Sequence, residues 1–341
     1  MFKSDQCDLC GDCLVKCQWI EADETTAVQW FKAMMEGEKT PVVDECITCY
    51  ACNEYCPHDA RPFDLIAELQ EKYGVVPRER IEEAEARLSF SGELRGVPEV
   101  AGGRVMSVCV FGKTDGHLID GPLYDLPTVG GKPFFCWIMM SHMGAESVQR
   151  KHARTFVARL AETGAGEVVC FHDDCYAMLA AVAPEYGIEV PFRPVHLSEY
   201  LVERLAARKG AIEPLNLAVA YQRPCASRHT PEKEHFIDAL FALCGVRRVV
   251  REYDRENALC CAGVKLMLDK GDPGPDVAKN VADAVSAGAE AMVCLCPMCI
   301  HSLGAAAGEQ GLPLIFLGDI ARMAVGEIPV PGRGEGGAGS G

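Results

Sequence analysis

The sequence lacks several features that would place it in common classes of protein. It contains no long apolar run, because stretches such as "FFCWIMM" are far shorter than a membrane-spanning helix. Its first residues, "MFKSDQCDLC", include no apolar segment of the signal-peptide kind, so we expect no cleaved leader. A GxGxxG nucleotide-binding loop and a P-loop are also missing, since "GRGEGG" at 332–337 belongs to the low-complexity tail and not to a strand–turn–helix unit. Flavin, nicotinamide and ATP would therefore have to be bound by partner proteins.

Positive charge is scarce as well. The 341 residues include 33 Lys and Arg against 49 Asp and Glu, a formal net charge of −16. Residues 1–90 contain 9 basic and 19 acidic side chains, a balance of −10. Such a surface repels phosphate groups, which argues against binding to nucleic acid. The acidic residues form either a solvated surface or a docking face for a basic partner.

Cysteine, in contrast, is abundant, with 19 residues. The number is odd, and ten of the cysteines lie in CxxC or CxxxC spacings, which argues against the disulfide framework of a secreted protein. We therefore expect a soluble protein of the reducing cytoplasm, whose thiolates bind metal. Any attachment to a membrane would come through a partner subunit.

Two runs near the N-terminus, "CDLCGDCLVKC" and "CITCYACNEYCP", both read C-x2-C-x2-C-x3-C, the spacing of bacterial ferredoxins. In this arrangement three close thiolates bind one [4Fe-4S] cubane and the fourth reaches across to the other. The first predicted ligand set is Cys7, Cys10, Cys13 and Cys56. The second predicted set is Cys46, Cys49, Cys52 and Cys17. The second run ends in Pro57, as in ferredoxins, whereas Gln18 follows the first.

The rest of the chain alternates strand-like and helical stretches, and it repeats. Residues 158–206 align with residues 282–324, each with a helix, a strand, a cysteine-bearing turn, a second helix, a strand and a final helix. The predicted fold is an α+β multi-domain protein, in which a mostly helical ferredoxin-like domain precedes two pseudo-symmetric α/β repeats. The predicted segments are a ferredoxin-like domain at 1–90, a linker at 91–103, repeats at 104–210 and 211–328, and a flexible tail at 329–341.

The second repeat contains the motifs "YQRPCASRH", "CCAG" and "CPMC", with 34 residues in each gap between cysteines. This pattern resembles the CCG domain of heterodisulfide reductase catalytic subunits, and together with the N-terminal runs the resemblance covers nearly the whole chain. It implies that five cysteines bind a noncubane [4Fe-4S] cluster, namely Cys225, Cys260, Cys261, Cys296 and Cys299. The chain departs from the family at Ala262, where the family has Gly. A left-handed backbone there would cost Ala about 1 kcal/mol.

The first repeat has lost this pattern. Alignment of the two copies puts His172 and Cys175 where the second repeat has "CPMC", and Cys136 where it has the second residue of the vicinal pair. With Cys109 after the preceding strand, these four residues are candidate ligands for zinc or a [2Fe-2S] cluster. The alternative is an emptied site filled by apolar side chains, namely Phe135, Trp137 and Met139. Three further cysteines are predicted to be core thiols, namely Cys170, Cys244 and Cys294.

The resemblance also implies a function for an anaerobic protein complex. Electrons would pass from the two cubanes to the noncubane cluster, which would reduce or form a disulfide or related S–S bond. Expected partners are other redox subunits, such as a flavoprotein, a hydrogenase or a membrane quinone module, and a thiol or disulfide substrate that can be a small protein. His229 and His301 are candidates for protonating a leaving thiolate, or else donate hydrogen bonds to sulfur. Arg223 and Arg228 either attract an anionic substrate or support the structure.

Two other functions fit the same sequence. The chain would act as a pure electron relay if it serves a quinone- or flavoprotein-linked dehydrogenase, because such systems also combine ferredoxin-like and CCG parts. It would act as a structural hub if the altered repeat binds zinc and organises a complex.

The acidic N-terminal region generates a first prediction. If it docks a basic one-electron carrier protein, association should slow clearly as salt rises from about 0.05 to 0.5 M, because the Debye length shrinks to a few Å. Stopped-flow electron transfer at several salt concentrations measures this rate. A rate that does not change with salt would assign the acidic residues to a solvated surface.

Overall fold

The structure, a computed structural model, describes residues 1–94 and 96–331. Most of the predicted tail, residues 332–341, lies outside the described residues, and so does Arg95 in the predicted linker. The described part of 91–103 contains neither helix nor strand. Across residues 1–94 and 96–331, no helix combines the length and the apolar character that a bilayer crossing requires.

Residues 1–90 form helices and no strand. Asp23 caps the N-terminus of the long second helix by accepting a hydrogen bond from the Thr26 N–H, and Gly74 ends the fifth helix with a left-handed backbone. Apolar side chains such as Phe31 and Ile66 form the small core of this unit. The helices are α1 (Asp12–Val15), α2 (Glu24–Met35), α3 (Pro41–Glu45), α4 (Ala51–Tyr55), α5 (Pro62–Tyr73) and α6 (Arg78–Leu88).

Two four-stranded parallel sheets follow, one in each repeat, and they have the same strand order. The first sheet consists of β1 (Arg104–Ser107), β2 (Thr128–Val129), β3 (Glu167–Cys170) and β4 (Arg193–His196). The second consists of β5 (Leu217–Gln222), β6 (Val246–Arg248), β7 (Ala291–Cys294) and β8 (Leu314–Phe316). The orders are β2-β1-β3-β4 and β6-β5-β7-β8, so each strand of the first sheet corresponds to the strand four numbers later. The helical part and the two α/β units thus follow one another in the expected order.

Helices connect the strands of each sheet, as parallel pairing requires. In the first repeat these are α7 (Met139–His142), α8 (Glu146–Ala161), α9 (Asp173–Ala177), α10 (Ala183–Glu185) and α11 (Leu197–Ala206), with a π-helical turn between α9 and α10. In the second they are α12 (Glu234–Leu243), α13 (Gly263–Leu268), α14 (Gly274–Ser286), α15 (Pro297–Glu309) and α16 (Leu317–Ala324). Short 3-10 segments occupy several of the loops.

The carboxyl ends of the central strands position the candidate sites. Ser107 at the end of β1 is in register with Cys170 at the end of β3, and Gln222 of β5 is in register with Cys294 of β7. The loops that follow adjacent parallel strands therefore start side by side at one edge of each sheet. These loops contain most of the cysteines that were predicted as ligands in the two repeats.

The two repeats share a core. Val169 and Phe171 of the first repeat and Val293 and Phe316 of the second belong to one apolar cluster, in which the rings of Phe171 and Phe316 are 5.3 Å apart. The three predicted core thiols are fully buried, and each belongs to a different apolar cluster. They are Cys170, Cys244 and Cys294.

A buried ion pair also joins the repeats. The Nζ of Lys233, from the second repeat, lies 2.6 Å from Oδ1 of Asp173 in α9, and both side chains are almost fully buried. His196 at the end of β4 lies on the other side of the same carboxylate, with its Nε2 3.4 Å away. Burial alone would raise the pKa of Asp173, but the charge of Lys233 and the interaction with His196 outweigh it and hold that pKa well below its usual range.

This pair generates the second prediction. Lys233→Met should lower the free energy of unfolding by about 3–5 kcal/mol, because it leaves a buried carboxylate without its main partner. The matched control is Lys39→Met, which breaks a more exposed pair with Asp44 (2.8 Å) and should cost less than about 1 kcal/mol. Anaerobic urea unfolding measures both variants, and equal losses would show that the buried pair does not stabilise the contact between repeats.

Candidate metal centres

The two N-terminal cysteine runs fold into loops with the same backbone conformation. Leu9 and Gly11, the second and fourth residues after Cys7, have left-handed backbones, with φ values of 61° and 81°. Thr48 and Tyr50, at the same positions after Cys46, have φ values of 59° and 62°. Such turns direct backbone N–H groups toward an anion at their centre.

Backbone N–H groups do reach the sulfurs in these loops. The N–H of Thr48 donates to Sγ of Cys46 at 3.3 Å, and the N–H of Ala60 donates to Sγ of Cys56 at the same distance. Such bonds favour the thiolate, the form that binds metal.

The eight cysteines of the runs gather around two cavities. The first cavity is lined by Cys7, Cys10, Cys13 and Cys56. The second is lined by Cys17, Cys46, Cys49 and Cys52, together with apolar side chains. These are the two sets that the crossed ferredoxin arrangement predicts. Cys13 borders both cavities, so the first and second sites are neighbours.

Burial favours the neutral thiol at several of these cysteines. Burial, followed by the nearby thiols of Cys56, Cys10 and Cys7, raises the pKa of Cys13 to about 12. Burial likewise raises the pKa of Cys46 to about 11. Closely packed, buried thiols can all ionise only if a metal supplies compensating positive charge. The donor sets therefore fit metal clusters.

The five cysteines of the second repeat form a third site between β5, α13 and α15. Sγ of Cys225 lies 3.3 Å from Sγ of Cys260. The thiol of Cys260 also interacts with that of Cys261, and the thiol of Cys299 interacts with those of Cys261 and Cys296. Hydrogen bonds from Cys260 and Cys299 to the Cys261 sulfur lower the pKa of Cys261. The sulfurs thus form one continuous chain that includes the vicinal pair.

Ala262 makes the turn that lets both vicinal sulfurs face the same site. Its φ is 58° and its ψ is 5°, so the left-handed backbone considered from the sequence is present. The residue is fully buried. Ser302 stabilises the turn by donating a hydrogen bond to the carbonyl of Cys261 at 2.7 Å. The strain of about 1 kcal/mol in Ala262 is therefore retained beside the site.

Arg223 and Arg228, which flank Cys225, are structural. Both are almost fully buried, and their guanidinium groups lie 2.8 and 2.5 Å from Oε2 of Glu54 in α4. They also donate to backbone carbonyls of residues 255–258, in the loop that leads to the vicinal pair. The geometry therefore favours support of the site over attraction of an anionic substrate. Glu54 was not singled out from the sequence, and its position between Cys52 and Cys56 is the signal that points to it.

The two candidate histidines lie in different environments. The side chain of His301 is 62% exposed, and its Nε2 lies 3.4 Å from Oδ1 of Asp115 in the first repeat. The ring of His229 packs against the ring of Tyr50, with centroids 4.5 Å apart, and its Nε2 is buried. Burial, together with the positive charge of Arg61, lowers the pKa of His229 to about 3.

The second and third sites adjoin each other. Cys49 of the second site shares one apolar cluster with Cys260, Cys261 and Cys299 of the third. Arg228 lies close enough to interact electrostatically with both Cys49 and Cys225. The first, second and third sites therefore form a continuous series from the helical unit into the second repeat.

A fourth group of cysteines lies in the first repeat. The sulfurs of Cys109, Cys136 and Cys175 lie within 4.8 Å of one another, and those of Cys109 and Cys136 are 3.9 Å apart. All three residues are almost completely buried. The aromatic ring of Trp137, one of the side chains expected to fill an emptied site, instead stacks on His152 with ring centroids 3.8 Å apart. The arrangement can hold one metal ion through three thiolates.

His172 adjoins this triad, but its hydrogen bonds favour a role other than ligand. It caps the N-terminus of α9, where its Nδ1 accepts a hydrogen bond from the N–H of Asp174 at 3.1 Å. The neutral ring must then carry its proton on Nε2, so this atom is a donor and not a ligand. Burial lowers the pKa of His172, but the nearby Cys109 thiol and the Asp174 carboxylate outweigh that effect and raise it to about 9. Among the described residues Nε2 has no hydrogen-bond partner, so the helix cap formed by Nδ1 carries the argument against a ligand role.

Comparisons with known proteins bear on the fold alone. No protein-family model matches the chain, and no curated protein matches its sequence. Seven chains among the solved structures do match. One of them is the crystal structure of a hypothetical protein from Helicobacter pylori, with a TM-score of 0.59 and 14% identity, covering 89% of this chain and 67% of that one. The α/β architecture is therefore similar to one that has been solved experimentally.

The role of His172 generates the third prediction. In anaerobically purified protein, His172→Asn should keep the metal bound by the triad, because Asn still caps α9 and the three thiolates remain. Cys175→Ser should lose that metal, because it removes a ligand. Elemental analysis for zinc and iron measures both variants. If both variants lose the metal to the same extent, His172 is a fourth ligand.

Proposed function

We propose that this chain is an iron–sulfur subunit of a cytoplasmic redox complex, similar to heterodisulfide reductase catalytic subunits, which reduces or forms a disulfide or related S–S bond. The observation that carries the proposal is the series of three adjoining cysteine sites, two with four thiols and one with five. The first site lies in an acidic helical unit that suits a basic redox partner. The third lies between the two repeats.

The helical unit has the features of a ferredoxin-like domain that holds two cubanes. Its thiols divide into two sets of four around two cavities, and backbone N–H groups donate to Cys46 and Cys56. Apolar side chains such as Ile20 and Phe63 line the second cavity and keep water from the sulfurs. Exclusion of water and donation to sulfur are the means by which a protein adjusts the reduction potential of such a cluster.

The third site is suited to a reaction and not only to electron transfer. Cys225 and Cys296 are partly exposed, whereas the vicinal pair and Cys299 are buried, so one side of the site is accessible. A noncubane [4Fe-4S] cluster bound by these five cysteines would supply electrons and an iron able to bind a substrate sulfur. The fixed charge of Arg228 near Cys49 and Cys225 stabilises negative charge at the second and third sites.

The position of the third site between the repeats favours a substrate cleft. Val264 and Met267 of α13, which follows the vicinal pair, pack against the core of the first repeat. His142 of the first repeat interacts with Cys261, and His172 interacts with Cys296. A thiol or disulfide substrate, including a cysteine pair on a small protein, would meet both repeats there. In the first repeat we propose zinc or a [2Fe-2S] cluster at the cysteine triad, with a structural role.

The fourth prediction tests the metal content. Anaerobically purified protein should contain about 12 iron atoms in three four-iron clusters. Cys261→Ser should reduce the count to about 8, since it removes a ligand of the third site only. The matched control is Cys244→Ser, which alters a fully buried core thiol outside every site and should keep about 12 iron atoms. A count near 8 in the unmodified protein would remove the third cluster and the proposed reaction with it.

Electron paramagnetic resonance then separates a catalyst from an electron relay. Addition of a panel of thiols, including small proteins that end in cysteine, to the oxidised protein should produce a paramagnetic signal from the third site. Cys261→Ser should lack this signal while its first and second sites remain reducible. In a pure relay for a quinone- or flavoprotein-linked dehydrogenase, no thiol would change the spectrum.

A further inference from the structure

A cavity lies where the helical unit and the two repeats meet. Its walls include Tyr50 and Asp64 from the helical unit, Glu146 and Tyr186 from the first repeat, and His229 from the second. Met1, whose exposed fraction is 67%, lies at its outer side, and His229 lies at its inner side. The cavity therefore connects solvent with the segment that follows Cys225.

Two buried polar atoms that line this cavity have no hydrogen-bond partner among residues 1–94 and 96–331. They are Nε2 of His229 and Oε1 of Gln149. The other amide atom of Gln149, Nε2, donates to the hydroxyl of Tyr186 at 2.8 Å, and that hydroxyl donates to Oε1 of Glu146 at 3.3 Å. Buried polar atoms that lack a protein partner are generally satisfied by ordered water where the space is polar. A water bound between these two atoms would extend the hydrogen-bonded series Glu146, Tyr186 and Gln149 to His229.

The inner end of this chain adjoins the third site. His229 ends the 3-10 segment Cys225–His229, which begins with a predicted ligand. Its ring contacts Tyr50, and Tyr50 packs in one small apolar cluster with Cys52 and Cys225. His229 is therefore placed to pass a proton between the cavity and the neighbourhood of Cys225.

We infer that this cavity is a proton-uptake route, in which Glu146 and Tyr186 take protons from solvent and water passes them to His229 beside the third site. The inference rests on the proposed function. Reductive cleavage of a disulfide breaks the S–S bond and yields two thiols, so it consumes two electrons and two protons. The electrons come from a one-electron donor protein through the first and second sites, and the protons come from solvent through the cavity.

The charged groups around His229 suit it to relaying protons. Arg61, Asp64, His142 and Lys233 act on its ring, and burial together with the cations keeps the ring neutral at physiological pH. A neutral imidazole accepts a proton on one nitrogen and releases one from the other, so it can pass protons on without storing charge. Asp64 is paired with Arg61 at 2.9 Å and with the N-terminal amine at 2.6 Å. Oε1 of Glu146 accepts a hydrogen bond from Tyr186 at 3.3 Å and is also paired with Arg150 at 3.1 Å, so Glu146 is the carboxylate that reaches the Tyr186 hydroxyl.

The fifth prediction concerns the rate at which protons arrive. For disulfide cleavage at the third site of the unmodified, fully loaded protein, the midpoint potential should fall by about 59 mV for each tenfold decrease in proton concentration, because the reaction consumes one proton per electron. Tyr186→Phe and His229→Gln should keep this dependence, because the equilibrium uptake is unchanged. With titanium(III) citrate as electron donor, both variants should cleave a disulfide about tenfold or more slowly, most strongly at high pH.

The matched control is Tyr200→Phe, which removes a buried hydroxyl that donates to the carbonyl of Leu123 at 2.6 Å, away from the cavity. It should cleave the disulfide at the rate of the unmodified protein. Iron content reports whether each variant is correctly loaded, and Tyr186→Phe, which removes one hydroxyl, carries the test if His229→Gln does not fold. A potential that does not depend on pH, or variants that cleave the disulfide at the unmodified rate, would overturn the route. If the unmodified protein shows no thiol-induced paramagnetic signal from the third site, the proposed function is overturned as well.

Discussion

The carboxylate of Glu54 between Arg223 and Arg228 is the interaction on which the alignment of the candidate sites depends. Glu54 belongs to α4, inside the second cysteine run, whereas the two arginines flank Cys225. The same guanidinium groups donate to the carbonyls of the loop before the vicinal cysteines. One carboxylate therefore connects three segments, each of which contributes thiols. Because all three side chains are largely buried, removal of Glu54 would leave the guanidinium group of Arg228 without its carboxylate partner.

The duplication explains why the molecule has two unlike sites in two similar units. Both repeats place their cysteine-bearing turns at the carboxyl ends of strands with the same order. In the second repeat the five sulfurs form a chain with two partly exposed members, whereas the three sulfurs of the first are sealed. His172, which stands where the second repeat has Cys296, caps α9 by accepting a hydrogen bond from the N–H of Asp174. The same scaffold thus supports an accessible site in one copy and a closed one in the other.

Buried ionisable groups occur where the units meet. Lys233 and Asp173 join the repeats, and His229 and Gln149 line the cavity where the repeats meet the helical unit. Polar groups in such positions are costly unless they are paired or hydrated. Their concentration at these contacts indicates that the contacts serve more than packing, since apolar side chains would suffice for adhesion alone.

The sequence by itself determined the features that depend on local spacing and on repetition. The C-x2-C-x2-C-x3-C runs predicted which cysteines would gather, and the structure brings together the same two sets of four. The internal duplication predicted two α/β units. The CCAG motif drew attention to Ala262, at the place of a family Gly, and its φ is 58°. These features could be predicted because CxxC loops, parallel sheets and tight turns constrain residues that are close in sequence or equivalent in the repeat.

Only the tertiary structure decided the roles that depend on which distant groups meet. The burial of Arg223 and Arg228 against Glu54, the placement of His301 beside Asp115 and the cavity at His229 bring together residues from different units. The role of His172 could be assigned only from its hydrogen bond with the N–H of Asp174. From the sequence alone, an imidazole near three thiols could be either a metal ligand or a hydrogen-bonding group. The residue type limits the chemical roles that a side chain can have. The groups that it contacts determine which role it takes, and those contacts depend on packing between residues that are distant in sequence.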